Sequence, residues 1–164
     1  MSLDRADKSS IYLSLGSNIE PEVNIIKAIR MLRKLFTITA ISNIWESPPF
    51  EAHGPPFLNT SVKIETSLSP EDLKECILRQ IEDHFGRVRT DDKNAPRPID
   101  LDIILIGSEL IDPDIWERAH LAVPLAELIP DYLNLATGKT LNEVAAGLQE
   151  THRILPRLDL IDKI

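Results

Sequence analysis

The chain has 164 residues, an apolar fraction of 43% and a formal net charge of −8, with a sequence pI near 5.0. These values are typical of one globular domain and argue against a disordered chain. The acidic balance argues against non-specific binding to DNA or to an anionic membrane, which both need a basic surface. A small anionic ligand beside a local group of arginines is still compatible with it.

The sequence predicts neither a signal peptide nor a membrane-spanning segment. Residues 1–10 are polar and mixed in charge, and we predict a flexible N-terminus there and a single domain at 11–164. No run approaches the ~20 apolar residues needed to cross a bilayer, so a cytoplasmic protein is expected. The single cysteine, Cys76, lies at an apolar position of a helical pattern, which predicts a buried thiol rather than a reactive one.

The first half of the chain predicts three strands and one helix. A strand at 11–15 ends at Gly16-Ser17-Asn18, and a helix opens at Pro21 with apolar residues at helical spacing. A second strand is predicted at 37–45 and a third at 57–66. Between them, the paired prolines of 47–56 require an irregular loop.

The second half predicts a helix, the clearest strand and a helical end. Ser69 caps a helix that runs to about residue 84, and a strand follows at 99–106. An apolar stretch at 121–129 and an amphipathic helix at 141–148 come last. The order strand, helix, strand, strand, helix, strand predicts an α+β, ferredoxin-like (βαββαβ) antiparallel sheet. Helices are expected on its faces, with a C-terminal helical extension.

Asp100 and Asp102 are two residues apart in the last predicted strand, so their side chains should project from the same face. Adjacent carboxylates need a shared proton or a cation at neutral pH, and such oxygen ligands suit Mg²⁺ together with substrate phosphates. The apolar residues around them are expected to point the other way: Leu101, Ile103 and Leu105.

Three arginines, Arg87, Arg89 and Arg97, precede this acid pair. A guanidinium group binds phosphate oxygens in a fixed fork. Carboxylates for a metal and arginines for phosphates are together what phosphoryl transfer requires. On this chemistry alone, a metal–polyphosphate site and an ordinary charged surface both stay open.

Two further segments could belong to a site. Gly16-Ser17-Asn18 is either a backbone cradle for an anion or a simple strand-to-helix turn. The segments 47–50 and 57–59 combine aromatic residues, rigid prolines and the Asn59 amide. They could form the wall of a pocket for a flat heterocycle, or a rigid loop packed on the core.

Taken together, these motifs resemble the 6-hydroxymethyl-7,8-dihydropterin pyrophosphokinase family of the folate pathway. The resemblance runs from residue 11 to about residue 143 and depends on several motifs in the right order, none of which is decisive alone. The motifs are Leu-Gly-Ser-Asn at 15–18, Ser-Pro-Pro at 47–49, Phe-Leu-Asn at 57–59, Gly-Arg-Val-Arg at 86–89, Pro-Arg-Pro-Ile-Asp-Leu-Asp-Ile at 96–103 and Val-Pro-Leu-Ala-Glu-Leu at 123–128.

The resemblance implies transfer of pyrophosphate from ATP to the hydroxymethyl group of a reduced pterin, with AMP as the other product. It implies that Asp100 and Asp102 bind two Mg²⁺ ions and that Arg87 and Arg97 act on the phosphates. It implies further ATP contacts at Glu82, Arg89, Ile103 and Arg118, and pterin contacts at Ser47, Pro48, Phe50, Asn59 and His120. The expected partners are these small substrates alone, without nucleic acid or membrane, and the expected state is a monomer.

Three departures from the family pattern bear on the acceptor. Asn94 stands where the family usually has a tryptophan, and His120 where it usually has a phenylalanine. The segment 107–118 is shorter than in the family, and Trp116 could fill part of that space or pack in the core. A paralogue acting on a related pterin or another alcohol therefore stays open, as does a catalytically weakened pterin- or nucleotide-binding protein. A metal-dependent hydrolase or nucleotidyltransferase that uses the same acid pair is a further alternative.

Overall fold

The structure is a computed structural model that describes residues 7–49 and 54–164. Within these ranges the strands are β1 (Ser9–Ser17), β2 (Thr37–Ile41), β3 (Trp45–Ser47), β4 (Phe57–Thr66), β5 (Asp100–Ile106), β6 (Glu109–Leu110) and β7 (Leu155–Pro156). The helices are α1 (Pro21–Leu35), α2 (Pro70–Asp72), α3 (Arg79–His84), α4 (Ala119–Leu128) and α5 (Leu141–His152). A π-helical segment (Leu73–Leu78) joins α2 to α3, and 3-10 turns occupy Pro113–Trp116 and Leu158–Lys163. None of the helices in the described ranges is long and apolar enough to span a membrane.

The strands form one antiparallel sheet in the order β6-β5-β1-β4-β3-β7, with β2 also paired to β4. The prediction of an α+β protein with an antiparallel sheet is therefore confirmed. β1 lies in the middle: Leu13 is opposite Val62 of β4 on one side and Ile103 of β5 on the other. This central position brings the ends of β1, β4 and β5 together at one edge of the molecule.

Helices cover both faces of the sheet. On one face, α1 and the helical run from α2 to α3 bury the main core, which includes Leu13, Leu15 and Ile29. On the other face, α4 and α5 cover a second core that includes Tyr12 and Trp45. The candidate site lies on the α4 side of the sheet.

The predicted strand at 37–45 is two strands, and the predicted start of the first strand is two residues late. β2 ends at Ile41 and β3 begins at Trp45, because the side chain of Ser42 replaces its backbone carbonyl as a partner of Ser61. The Ser42 N–H donates to the Ser61 carbonyl and the Ser42 Oγ accepts the Ser61 N–H, both at 2.9 Å. Ser9 already belongs to β1, whereas residues 1–6 of the predicted flexible N-terminus lie outside the described residues.

The predicted helix from Ser69 to about residue 84 is present, and the Ser69 hydroxyl accepts the Asp72 N–H at 3.1 Å. The prediction of a buried Cys76 is wrong: its side chain is exposed. The π-helical segment explains the difference, since its wider turn advances the buried face by one residue. Leu73 and Leu78, five positions apart, point into the core, and Cys76 turns outward.

A bulge in β5 overturns the predicted orientation of Leu105. Leu13 is opposite Ile103 but Tyr12 is opposite Leu105, so Ile104 is an extra residue in the ladder. Leu101 and Ile103 pack toward the main core as expected, whereas Leu105 packs in the second core.

The C-terminal extension is only partly helical. After α5, β7 pairs with β3 and adds an edge strand to the sheet. Ile154 is buried in the second core and Leu160 in the main core. Arg157 forms ion pairs with Glu46, Glu22 and Asp159, which tie this segment to β3 and α1.

Candidate active site

A cavity of about 460 Å³ opens where β1 ends and β4 and β5 begin, beside the start of α4. Its lining combines carboxylates, cations, an amide, an imidazole and prolines. The predicted site residues that line it are Ser47, Pro48, Asn59, Arg97, Asp100, Asp102, Arg118 and His120.

The sheet register places the acid pair in this cavity. Asp100 is opposite Gly16 and Asp102 is opposite Ser14 across the β1–β5 ladder. Gly16 has no side chain to occupy the space between them and β4, where a Cβ would lie 3.4 Å from the Asn59 Oδ1. The carboxylates therefore share a face with small side chains, which leaves room for a ligand above the strand.

Asp100 is paired with two arginines at once. Arg87 donates to its Oδ1, and Arg97 donates from Nη1 to its Oδ2 at 3.0 Å. Both carboxylate oxygens thus have a cationic partner. Arg97 lines the cavity, whereas Arg87 is not part of the lining and also contacts Glu82.

Glu82 lies beneath the cavity and is 3% exposed. Its Oε1 accepts the Leu101 N–H at 2.9 Å and pairs with Arg87, and its Oε2 pairs with Arg89 at 2.6 Å. Burial raises the pKa of Glu82, and the Leu101 N–H and Arg87 oppose that rise. In this structure Glu82 joins α3 to the start of β5; the implied contact with ATP stays a prediction.

Asp102 is exposed in the cavity, yet the pKa of its carboxyl is raised. Reduced hydration within the cavity wall, and then the like charge of Asp100, raise the pKa of Asp102 to about 6. A nearby cation would relieve both effects. Hard carboxylate oxygens on one face of an open cavity fit a magnesium ion whose other ligands are phosphate oxygens and water. The described residues hold no group of three or more His, Cys, Asp or Glu side chains suited to a metal.

The Gly16-Ser17-Asn18 turn fixes the segment that carries Arg97. Asn18 Oδ1 accepts the Arg97 N–H at 2.7 Å, and the Asn18 N–H donates to the Arg97 carbonyl at 3.2 Å. The Ser17 hydroxyl donates to the Pro98 carbonyl at 2.6 Å. The turn therefore binds protein backbone, and it holds Arg97, a candidate phosphate-binding residue, beside the acid pair.

The opposite wall of the cavity is organised around Asn59. Its Nδ2 donates to the Ser47 Oγ at 2.8 Å and to the Trp45 carbonyl at 3.4 Å. With its amide nitrogen held there, the Asn59 Oδ1 lies beside Gly16 and is available as an acceptor. Phe50, which the resemblance places in this wall, lies outside the described residues.

The start of α4 supplies the remaining wall. His120 lines the cavity, and burial, followed by the charge of Arg118, lowers the pKa of His120 to about 4, so the imidazole is neutral at pH 7. Arg118 also lines the cavity and is paired with Asp114 at 2.7 Å. Trp116 stacks on Tyr132 with ring centroids 5.8 Å apart, as part of the second core.

Some predicted residues lie outside the lining, and the sequence analysis missed others within it. Glu82, Arg87 and Arg89 form the ion-pair network behind Asp100, and Ile103 packs against the main core. Ser14 and Lys93 line the cavity without having been predicted. Ser14 is two residues before Gly16 in β1, so strand alternation could have placed it on the cavity side. For Lys93, the sequence indicated only that it lies in the polar loop before Arg97.

Comparisons with known proteins identify the family. Residues 12–130 match the family described as 7,8-dihydro-6-hydroxymethylpterin-pyrophosphokinase (HPPK), and the chain belongs to this family. It is 37% identical over 149 residues to the 2-amino-4-hydroxy-6-hydroxymethyldihydropteridine pyrophosphokinase of Pseudomonas aeruginosa, covering 84% of this chain and 90% of that protein.

Longer relatives match over part of their length. The chain is 33% identical over 153 residues to the folic acid synthesis protein FOL1 of Dictyostelium discoideum, covering 87% of this chain but only 23% of that protein. A crystal structure of an HPPK-DHPS variant from Plasmodium falciparum superposes with a TM-score of 0.70 at 11% identity, covering 92% of this chain and 48% of that chain. At this identity the likeness shows a shared fold alone.

Proposed function

We propose that the chain transfers the pyrophosphoryl group of ATP to the hydroxymethyl group of 6-hydroxymethyl-7,8-dihydropterin and releases AMP. One observation carries this proposal: a single cavity joins the acid pair to two unlike walls. Arg97 and Arg118 supply positive charge for phosphates, and Asn59 and His120 supply an amide and a ring for a flat heterocycle. Family membership and the relative in Pseudomonas aeruginosa support the same reaction.

Asp100 and Asp102 would hold Mg²⁺, and we propose two ions with the triphosphate completing their coordination. Bound there, the metal would neutralise the triphosphate and stabilise the charge that develops at the β-phosphorus. The protein's own part is to keep both carboxylates on one face of β5, opposite the small residues Ser14 and Gly16.

The arginines would change partners when the nucleotide binds. Asp100 is paired with Arg87 and Arg97 in this structure, and phosphate oxygens can accept hydrogen bonds from the same guanidinium groups once a cation takes the carboxylate. This exchange would bring positive charge to the bond between the β-phosphorus and the bridging oxygen that breaks to release AMP. Arg89, Arg118, Glu82 and Ile103 are proposed as further ATP contacts.

The pterin would lie between the Ser47–Pro48 segment and His120, with the Asn59 Oδ1 accepting a hydrogen bond from its edge. A neutral imidazole can stack on a heterocycle, although it covers less apolar area than a phenyl ring. Phe50 is proposed for the same wall. Because His120 replaces the family's usual phenylalanine, a related pterin is the second candidate acceptor.

Broader features of the protein are proposals as well. The central order β5-β1-β4-β2, with α1 and the α2–α3 run as crossovers, supports a ferredoxin-like βαββαβ core. We further propose that residues 11–164 act as one domain, as a monomer in the cytoplasm.

The test is AMP formation from ATP, Mg²⁺ and 6-hydroxymethyl-7,8-dihydropterin. We expect AMP only with all three, and background levels from an Asp100→Ala/Asp102→Ala double variant. AMP at background level from the unaltered chain would overturn the proposal. Equal ATP turnover without the pterin would instead indicate a hydrolase, and equal ATP affinity with a chelator would refute the role of the acid pair.

A further inference from the structure

A carboxylate at the far end of α4 joins the two walls of the cavity. Glu127 accepts the indole N–H of Trp45 through Oε1 at 2.6 Å and the backbone N–H of Asn43 through Oε2 at 2.8 Å. Asn43 lies in the β2–β3 junction and Trp45 is the first residue of β3, and both are more than 80 residues away in sequence. Hydrogen bonds to an ionised acceptor are short and stronger than neutral ones, so α4 is held against β3 at this point.

The segment that Glu127 holds leads directly to the cavity wall formed by Ser47, Pro48 and Asn59. We call this the acceptor wall, because the pterin acceptor would bind against it. The Trp45 carbonyl and the Ser47 Oγ both accept from the Asn59 Nδ2, which fixes the rotation of that amide. Trp45 is 9% exposed and packs in the second core under α4. Trp45 therefore links Glu127 to Asn59: its indole N–H donates to Glu127, and its backbone carbonyl accepts from the Asn59 amide at the cavity.

β3 has only three residues and is paired with β4 and β7, so the bond from Trp45 to Glu127 adds a direct contact with α4. It carries Ser47 and Pro48 to the cavity, while α4 carries His120 to the facing wall. The gap between these walls is what a flat ring would enter. The phosphate side is held by other contacts, those of Asn18 with Arg97 and of Glu82 with Arg87.

We propose that Glu127 is a positioning residue that sets the acceptor wall: through Trp45 it fixes the distance from β3 to α4 and the orientation of Asn59. This inference deepens the proposed function and rests on it for the identity of the ligand. Removing the carboxylate should loosen the acceptor wall and leave the phosphate side as it is. A residue that only stabilised the fold would affect both sides alike.

The experiment measures two affinities in each variant by calorimetry: that of α,β-methylene-ATP with Mg²⁺, and that of 6-hydroxymethylpterin with this complex already formed. For Glu127→Ala we expect pterin affinity to fall about tenfold and nucleotide affinity to change less than about twofold. Trp45→Phe removes the indole donor and should act in the same direction. The double variant should lose little more than the single ones, because they break one shared bond.

Two variants serve as controls. Glu143→Ala removes another exposed carboxylate, the one that caps α5 through Thr140 and is not part of the cavity lining, and should leave both affinities unchanged. Glu127→Gln keeps one acceptor oxygen and should recover part of the pterin affinity, which also guards against a failure of the alanine variant to fold.

The ligand-free state gives a reading that does not depend on the acceptor. The NMR signals of the Asn59 side-chain amide should shift in Glu127→Ala and stay in place in Glu143→Ala. An unmoved Asn59 amide, or equal losses of nucleotide and pterin affinity, would overturn the positioning role. An unaltered chain that binds the nucleotide but no pterin would overturn the proposed acceptor instead, and the Asn59 signals would then decide the role of Glu127.

Discussion

Replacing Glu82 should destabilise the fold far more than replacing another glutamate of the same helical run. The Glu82 side chain is 4% exposed, and it is the acceptor for both the Leu101 N–H and Arg87. Glu82→Ala would leave a buried N–H without a partner, at about 1–3 kcal/mol. It would also remove one of the two acceptors of Arg87, whose side chain is 16% exposed.

Breaking a buried ion pair by removing one member costs about 3–5 kcal/mol. Arg87 keeps Asp100 as a partner, and Arg89 is half exposed, so the loss of its pair with Glu82 contributes little. We therefore expect Glu82→Ala to lower the free energy of unfolding by about 3–4 kcal/mol in total, near the lower end of the range for a broken buried pair. Glu82→Gln retains an oxygen for the Leu101 N–H and should cost about 1–2 kcal/mol.

The matched control is Glu75→Ala. Glu75 also pairs with an arginine, Arg79, but these two side chains are 42% and 47% exposed. An exposed pair of this spacing is worth about 0.5 kcal/mol or less. Urea unfolding at pH 7, with the slope m checked for each variant, gives the free energies. A cost below about 1 kcal/mol for Glu82→Ala, or equal costs for Glu82→Ala and Glu75→Ala, would refute this account of the network.

Three further predictions concern stability. The pKa of His120 is lowered from 6.5 to about 4, so the unfolded chain binds the extra proton first and stability should fall as the pH drops from about 6.5 to about 4. His120→Phe lacks this term and should gain up to about 3 kcal/mol over the unaltered chain between pH 7 and pH 4, measured by urea unfolding; a constant difference would contradict it. The buried Ser61 Oγ has no hydrogen-bond partner among the described residues, so Ser61→Ala should be neutral or stabilising by about 1 kcal/mol. Thr60→Ala, which breaks the contact with the Ser42 Oγ at 3.0 Å, should destabilise the fold by about 1 kcal/mol in the same urea-unfolding measurements.

Hydrophobic periodicity was enough to predict β1, α1, β4 and β5, because each is a long element with one face on the main core. It failed where a single residue changes the phase. The extra residue Ile104 turns Leu105 to the other face, and the π-helical segment turns Cys76 outward. Such insertions depend on contacts with neighbouring strands and helices, which a local pattern does not contain.

The position of the acid pair in the cavity could be predicted because strand alternation fixes the face of the sheet on which it lies. Arg97 could be predicted because it is close to the pair in sequence. The interior position of Glu82 and the contact between Glu127 and Trp45 were not foreseeable in this way. Both join residues whose separation in space is set by tertiary packing rather than by spacing along the chain. The sequence thus predicted which chemical groups line the cavity better than it predicted what holds them in place.

The C-terminal segment lies beyond the family match but belongs to the fold. The family match ends at residue 130, yet Ile154 and Leu160 fill one core each and β7 covers the outer edge of β3. A protein cut at the end of the match would keep every proposed ligand of the metal and the phosphates. It would nevertheless open both cores and leave the strand before the acceptor wall without its outer neighbour. The length of chain that carries the proposed ligands is therefore shorter than the length that completes the two cores.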